Sequence, residues 1–193
     1  MNSIKITNKE QLHECLNYEK KVYGITVKSF IWGYLTQRPL FKIWLWLYYS
    51  RKSDYYAYKY TRNRIYKPLY MYYLRKKNVL SFQLGFDIDT VNIGKGLLIY
   101  HAGATVINGK AIIGEDCVLH GNNCIGNKGP AGSDCPIIGD RVEIGVGAKI
   151  VGGVKLPDDC VVGAGAIVVN SYYKKGDIIV GVPAKALKNR KIT

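Results

Sequence analysis

Through the C-terminal half of the chain an aliphatic side chain returns at every sixth position: Ile93, Ile99, Ile107, Ile113, Leu119, Ile125, then Ile138, Ile144, Ile150, Leu156, Val162 and Val168. The period breaks twice, by two extra residues between Ile99 and Ile107 and by a step of 13 from Ile125 to Ile138. The second position of the repeat is often glycine (Gly94, Gly114, Gly126, Gly139, Gly145, Gly163). The fifth is small or medium-sized: Ala111, Cys117, Asn123, Val142, Ala148, Val154, Cys160 and Ala166. Strands alternate every two residues and helices every 3.6, so neither sustains a strict six. A chain that turns a corner every six residues does. Each hexad then supplies a short strand and a corner, with the aliphatic and small residues inward and the glycine serving unusual corner dihedrals. Three sides close one coil of a parallel β-helix, and the twelve positions make about four coils.

Residues 1–80 carry no such repeat and read mostly as helices. In "NKEQLHECLNYEKKVYG" (8–24), Leu12, Cys15, Leu16 and Tyr23 fall on one face and Gly24 is a stop. After Pro39 and again after Pro68, aromatic and cationic residues interleave. The most apolar window, 30–49, is interrupted by Arg38, Pro39 and Lys42. Its unbroken part is shorter than the about 20 residues that span a bilayer.

Composition divides the chain at the same place, giving an expected helical segment 1–80 and a β-helical domain with its C-terminal tail over 81–193. The net charge is +14, of which residues 1–80 hold 16 basic and 4 acidic side chains, 13 of the 16 tyrosines and all three tryptophans. At 193 residues and 48% apolar composition, global disorder is excluded. The five cysteines form neither an even set nor a CxxC pair, and no cleavable signal opens the chain, so reduced thiols and a cytoplasmic location are expected.

The repeat and the stretches around it carry a resemblance. Residues 87–188 resemble the hexapeptide-repeat acyltransferases, and among them the serine acetyltransferases and the capsular or exopolysaccharide O-acetyltransferases. The resembling blocks are "GLLIYHAGATVINGKAIIGEDCVLHGNNCIG" (96–126), the loop "GNKGPAGSDCPIIGD" and "GVPAKALK" (181–188). The resemblance implies a left-handed parallel β-helix, a homotrimer with sites in grooves between neighbouring prisms, and acetyl-CoA as co-substrate.

It also assigns roles. His101 matches the histidine that acts as general base, a role suited to imidazole near neutral pH. Asp87, in "FDID", matches the aspartate that orients that base, with Asp89 as fallback because one residue is missing before the next hexad; a solvated pair of acids capping the first coil is the competing reading. Tyr100 stands where serine acetyltransferases carry an acid, and Ser133, Asp134, Cys135 and Pro136 replace their "DRHP". An aspartate where an arginine would hold a carboxylate argues against serine and for a sugar hydroxyl. Cys135 is read as shaping the acceptor pocket rather than as a nucleophile. His120 matches a histidine of the polysaccharide enzymes, near acceptor or pantetheine, though a plain corner residue fits equally. Gly145, Gly147, Gly163, Ala164 and Gly165 would let the acyl-pantetheine arm approach the backbone, with Lys185, Lys188 and Arg190 near its phosphates. A zinc site needs three histidine ligands at defined spacing. With only His13, His101 and His120 in the chain, no metal is expected.

The function these features imply is O-acetylation of a sugar hydroxyl of a surface polysaccharide or its precursor. Serine or another small acceptor is the enzymatic alternative, and an inactive β-helical scaffold or binding module the other. The basic aromatic segment 1–80 fits either a packed helical cap or the surface of an anionic membrane, with Arg51, Lys52, Lys59, Arg62 and Arg64 as candidate lipid contacts. No recognised nucleic-acid motif appears.

Overall fold

A computed structural model describes residues 6–129 and 134–187. Four helices lead: α1 (Lys9–Val22), α2 (Val27–Thr36), α3 (Pro39–Arg62) and, after a 3-10 turn at Arg64–Tyr66, α4 (Lys67–Leu84). Asn8 and Thr26 each cap a helix start in a reciprocal capping box with Gln11 and Ser29. Gly85, in left-handed conformation, ends α4.

The rest is a left-handed parallel β-helix with three faces. The first holds β1 (Phe86–Ile88), β3 (Thr105–Ile107), β6 (Cys124–Gly126), β9 (Lys149–Val151) and β12 (Ile167–Val168). On the second are β4 (Ile112–Ile113), β7 (Ile137–Ile138) and β10 (Lys155–Leu156). The third stacks β2 (Leu98–Ile99), β5 (Val118–Leu119), β8 (Glu143–Ile144), β11 (Val161–Val162) and β13 (Ile178–Gly181), closed by the antiparallel β14 (Ala184–Ala186). Register pairs each aliphatic with its counterpart one coil on, as in Ile107 with Ile125 and Leu119 with Ile144. The columns reach beyond the twelve positions of the repeat: Ile88 begins the first, and Ile179 ends the third over Val162.

The glycines of the second position have a different purpose from the one the repeat suggests. None of them has a positive φ. The left-handed residues stand at the fourth position instead: Gly96, Asp116, Asn122, Arg141, Gly147, Asp159 and Gly165, with φ between 54° and 81°. Asp and Asn tolerate that region better than most side chains. At Gly94, Gly114, Gly139, Gly145 and Gly163 position two is glycine because coils touch there, whereas Gly126 has room for a Cβ. A Cβ on Gly114 would lie 2.6 Å from the carbonyl of Gly139, and one on Gly145 would lie 2.5 Å from the Ala164 nitrogen.

The helices close the open lower end of the β-helix, and one buried cluster runs through both, from Trp46 and Leu47 past Phe86 to Val168. Trp46 meets Phe86 edge-on, with ring centroids 5.1 Å apart. Arg51 is buried and carries the junction: its guanidinium donates to Glu19 (2.8 Å) and to the carbonyls of Ile93 (2.8 Å) and Gly94 (2.6 Å). The backbone N–H of Ile99 donates to the Tyr23 hydroxyl at 3.0 Å, and Tyr18 donates to Asp116 at 2.9 Å. Arg51 is therefore unavailable to a membrane. Lys52, Lys59 and Arg62, named with it, lie over the rings of Tyr48 and Tyr73, Tyr66, and Tyr58 respectively.

Candidate active site

The chain passes from the third face to the first at one edge of the prism, and that edge collects most of the residues singled out by sequence. The corner after β2 holds Tyr100 and His101, exposed to solvent. One coil up, the corner after β5 holds His120 and Gly121. Further up come Gly145 and Gly147 after β8, then Gly163, Ala164 and Gly165 after β11. Backbone bonds tie the corners together: Gly147 N–H donates to the Gly121 carbonyl at 3.0 Å, and Gly165 N–H to the Val146 carbonyl at 2.9 Å. His101 is held closely from above, since a Cβ on Gly121 would come 2.9 Å from the His101 carbonyl oxygen.

The side chains form a small cluster. The Tyr100 ring lies 5.1 Å from that of His120 and 6.4 Å from that of His101, tilted to both. His120 Nε2 contacts Glu143 Oε1 at 2.7 Å, so a carboxylate fixes this ring. His101 has no such partner among the described residues. Asp87 points outward from β1 into an open groove of about 790 Å³ with Phe82, Val106 and Cys124, and no hydrogen bond joins it to His101. Asp89 is engaged locally, accepting from the Val91 N–H at 3.2 Å.

The cofactor set divides in two. Gly145 and Gly163 are explained by stacking, for a Cβ on Gly163 would meet the Val180 side chain at 2.8 Å. Gly147 and Gly165 have open space in front of them and leave bare backbone on the edge. Lys185 is exposed on β14 at the upper end of the same face, whereas Lys188 and Arg190 lie outside the described residues, as does Ser133.

Asp134 and Cys135 lie elsewhere. The long step of the repeat leaves the prism between the first and second faces, and Asp134 packs there beside Gly153. Cys135 is half-buried against the core. Within one chain they sit at a different edge from His101. Cys117 and Cys160 are fully buried, and burial pushes the Cys117 thiol up to about 12, which makes it inert packing.

Glu143 was missed by sequence reading, although the repeat contains the signal. Three hexads after Leu119 comes Ile144, its neighbour on the same face, so residues flanking the two must be near each other. Counting by hexads places Glu143 beside His120.

Known proteins with similar chains share this architecture. No family model matches the chain. The colanic acid biosynthesis acetyltransferase WcaB of Escherichia coli is 36% identical over 73 residues, which is 37% of this chain and 45% of WcaB. The serine acetyltransferase of Mycobacterium tuberculosis is 38% identical over 68 residues, 35% of this chain and 30% of that protein. The chain is similar in sequence to acetyltransferases of both kinds. It thus spans less than half the length of these two proteins in sequence. The fold agrees more widely: the serine acetyltransferase of Neisseria gonorrhoeae superposes with a TM-score of 0.68 at 26% identity, covering 93% of this chain and 68% of that one. A soybean serine acetyltransferase complexed with serine gives 0.62 at 28% identity, over 76% and 58%.

Proposed function

We propose that this protein transfers an acetyl group from acetyl-CoA to a hydroxyl of a sugar in a surface polysaccharide or its precursor, directly and without an acyl-enzyme. The observation that carries the proposal is the single prism edge that lines up His101, the Tyr100–His120–Glu143 cluster and the bare backbone of Gly147 and Gly165. The pantetheine arm runs along those glycines, with Lys185 toward its phosphates. His101 takes the proton of the acceptor hydroxyl as that oxygen attacks the thioester carbonyl. The tetrahedral intermediate collapses by breaking the C–S bond, and the imidazolium returns its proton to the coenzyme A thiolate. Asp87, free in its groove, orients His101 once substrates close the site.

Asp134 and Cys135, on another edge, reach the acceptor from a neighbouring subunit, so the working form is a homotrimer. Asp134 favours a neutral polyol over serine because it would repel the amino acid's carboxylate. The His120–Glu143 contact supports a second reading, in which His120 is the base. Kinetics of the purified protein separate these. His101→Ala is expected to lower kcat by ~10²–10⁴ with coenzyme A binding kept, His120→Ala to act mainly on acceptor KM, and Cys135→Ala to retain much of its activity. The larger kcat loss in His120→Ala would transfer the role to His120. Turnover of serine in preference to sugars would replace the acceptor assignment.

A further inference from the structure

Many aromatic and cationic residues of α3 and α4 cover one another, whereas α2 leaves an apolar surface open. On α2, Val27, Ile31, Trp32, Tyr34 and Leu35 are 54% to 74% exposed. The helix is seated on α3 by its other side. Phe30 meets Phe41 and Trp44 edge-on, at 5.5 and 6.0 Å, and a Cβ on Gly33 would lie 2.6 Å from the Phe41 ring. At 100° per residue, Ile31, Trp32 and Leu35 point away from Phe30 and Gly33. Leu40, at the start of α3, extends the patch.

Charge identifies what covers it. From residue 20 to 53 there is no acid, but there are seven cations: Lys20, Lys21, Lys28, Arg38, Lys42, Arg51 and Lys52. Arg51 is buried against Glu19; Lys20, Lys21, Lys28 and Arg38 are exposed around α2. A second copy docked α2 to α2 about a twofold axis would set these cations against their own images. A nucleic acid would satisfy the cations and leave Ile31 and Leu35 in water. An anionic bilayer surface satisfies both, with apolar side chains below the headgroups and cations among them.

We propose that α2 is a membrane-surface anchor, lying in the plane of an anionic leaflet with Ile31, Trp32 and Leu35 inserted. Ten residues of helix extend only about 15 Å, which suits an in-plane position rather than a crossing. No helix among the described residues is long and apolar enough to cross a membrane. None of the anchor residues is among those assigned to the His101 edge, and the anchor does not depend on the reaction proposed there.

Tryptophan fluorescence of the full chain with phosphatidylglycerol and phosphatidylcholine vesicles tests this. Trp32 is 54% exposed, while Trp44 and Trp46 are 7% and 0% exposed, so a change on binding comes from Trp32. Phosphatidylglycerol vesicles should shift emission to the blue and cosediment the protein at low salt. Phosphatidylcholine vesicles should do so weakly, and raised salt should release part of the protein. Trp32→Phe should remove the blue shift while vesicle binding persists. The double variant Ile31→Ser, Leu35→Ser should lower vesicle partitioning by ~tenfold or more. Its unfolding midpoint should stay near wild type, because both side chains are exposed. No binding to phosphatidylglycerol vesicles at low salt overturns the proposal. So does unchanged binding by the double variant, or a concentration-dependent rise in mass that the double variant abolishes, which would give the patch to a second copy.

Discussion

In the β-helix each buried side chain lies over its counterpart one coil away, so Ile99, Leu119, Ile144, Val162 and Ile179 form a column fixed by register alone. In the helical segment nothing repeats. There α3 and α4 hold together through rings of unrelated sequence position: Tyr56 stacks on Tyr73 and Tyr60 on Tyr70, at 5.1 and 5.9 Å. The periodic part needs little side-chain chemistry, since every coil offers its backbone to the next. The aperiodic part needs a specific device to join it to the coils, and that device is the buried Arg51–Glu19 pair. Repetition makes a structure tolerant of many local changes but strict about space at the stacking glycines. Singular contacts concentrate the cost in a few residues.

The largest expected effect therefore falls at Arg51. Removing one partner of a buried ion pair typically costs about 3–5 kcal/mol, because the other charge stays buried and unpaired. Arg51→Ala also strips the carbonyls of Ile93 and Gly94 of their donors. Denaturant unfolding followed by the fluorescence of Trp46, which packs at the junction, should show a loss of that size. Arg51→Lys should recover only part of it, since one ammonium cannot reproduce the forked contacts. A cost below about 1 kcal/mol for Arg51→Ala would mean that apolar packing alone joins the two regions.

Next comes a pair of substitutions within the β-helix that share a residue type but not an outcome. Asparagine at Gly145 must place its Cβ against the Ala164 backbone, and overpacking of that kind costs about 1–3 kcal/mol or more. Asparagine at Gly147, where φ is +72°, stays in the left-handed region that Asn122 already occupies at +54° one coil below, with open space around it. It should cost less than about 1 kcal/mol. Thermal unfolding of the two variants decides whether position two is constrained by space and position four by dihedral angle. Equal costs would return the corner dihedral to position two.

The same contrast explains what the sequence could disclose. The spacing of Ile93 through Val168 was sufficient for the coils, because a strict period admits few other structures. Counting hexads would also have placed His101 and His120 on one edge and brought in Glu143, but the two histidines were singled out by resemblance alone. The spacing misled about Gly114 and Gly145, because glycine signals either a positive φ or close approach, and composition cannot distinguish them. Arg51 looked like its neighbours Lys52 and Lys59 in a basic aromatic run. Its burial depends on Glu19 and on the carbonyls of Ile93 and Gly94, which only the docked arrangement brings together. The separation of Asp134 from His101 was likewise hidden, since it depends on which corner of the prism the long loop leaves.

The smallest expected effect compares the buried Arg51–Glu19 pair with an arginine–carboxylate pair on the open surface. Arg141 Nε donates to Asp159 at 2.6 Å and Lys175 Nζ approaches the same carboxylate at 3.0 Å, both in solvent. These contacts hold the Asp159 carboxyl down at about 2, Arg141 contributing most. A folded-state pKa below the unfolded value of about 3.9 gives a contribution present at neutral pH. That contribution is lost as pH falls below the unfolded value and through about 2. Arg141→Gln should therefore raise the Asp159 titration midpoint toward the ordinary carboxylate value, read by carboxyl-carbon NMR, and Lys175→Gln should raise it less. Water and salt screen an exposed pair, so added salt should move the wild-type midpoint in the same upward direction. The unfolding midpoint at neutral pH should change far less than in Arg51→Ala. A loss in Arg141→Gln as large as that of Arg51→Ala would show that the coils also rely on singular contacts.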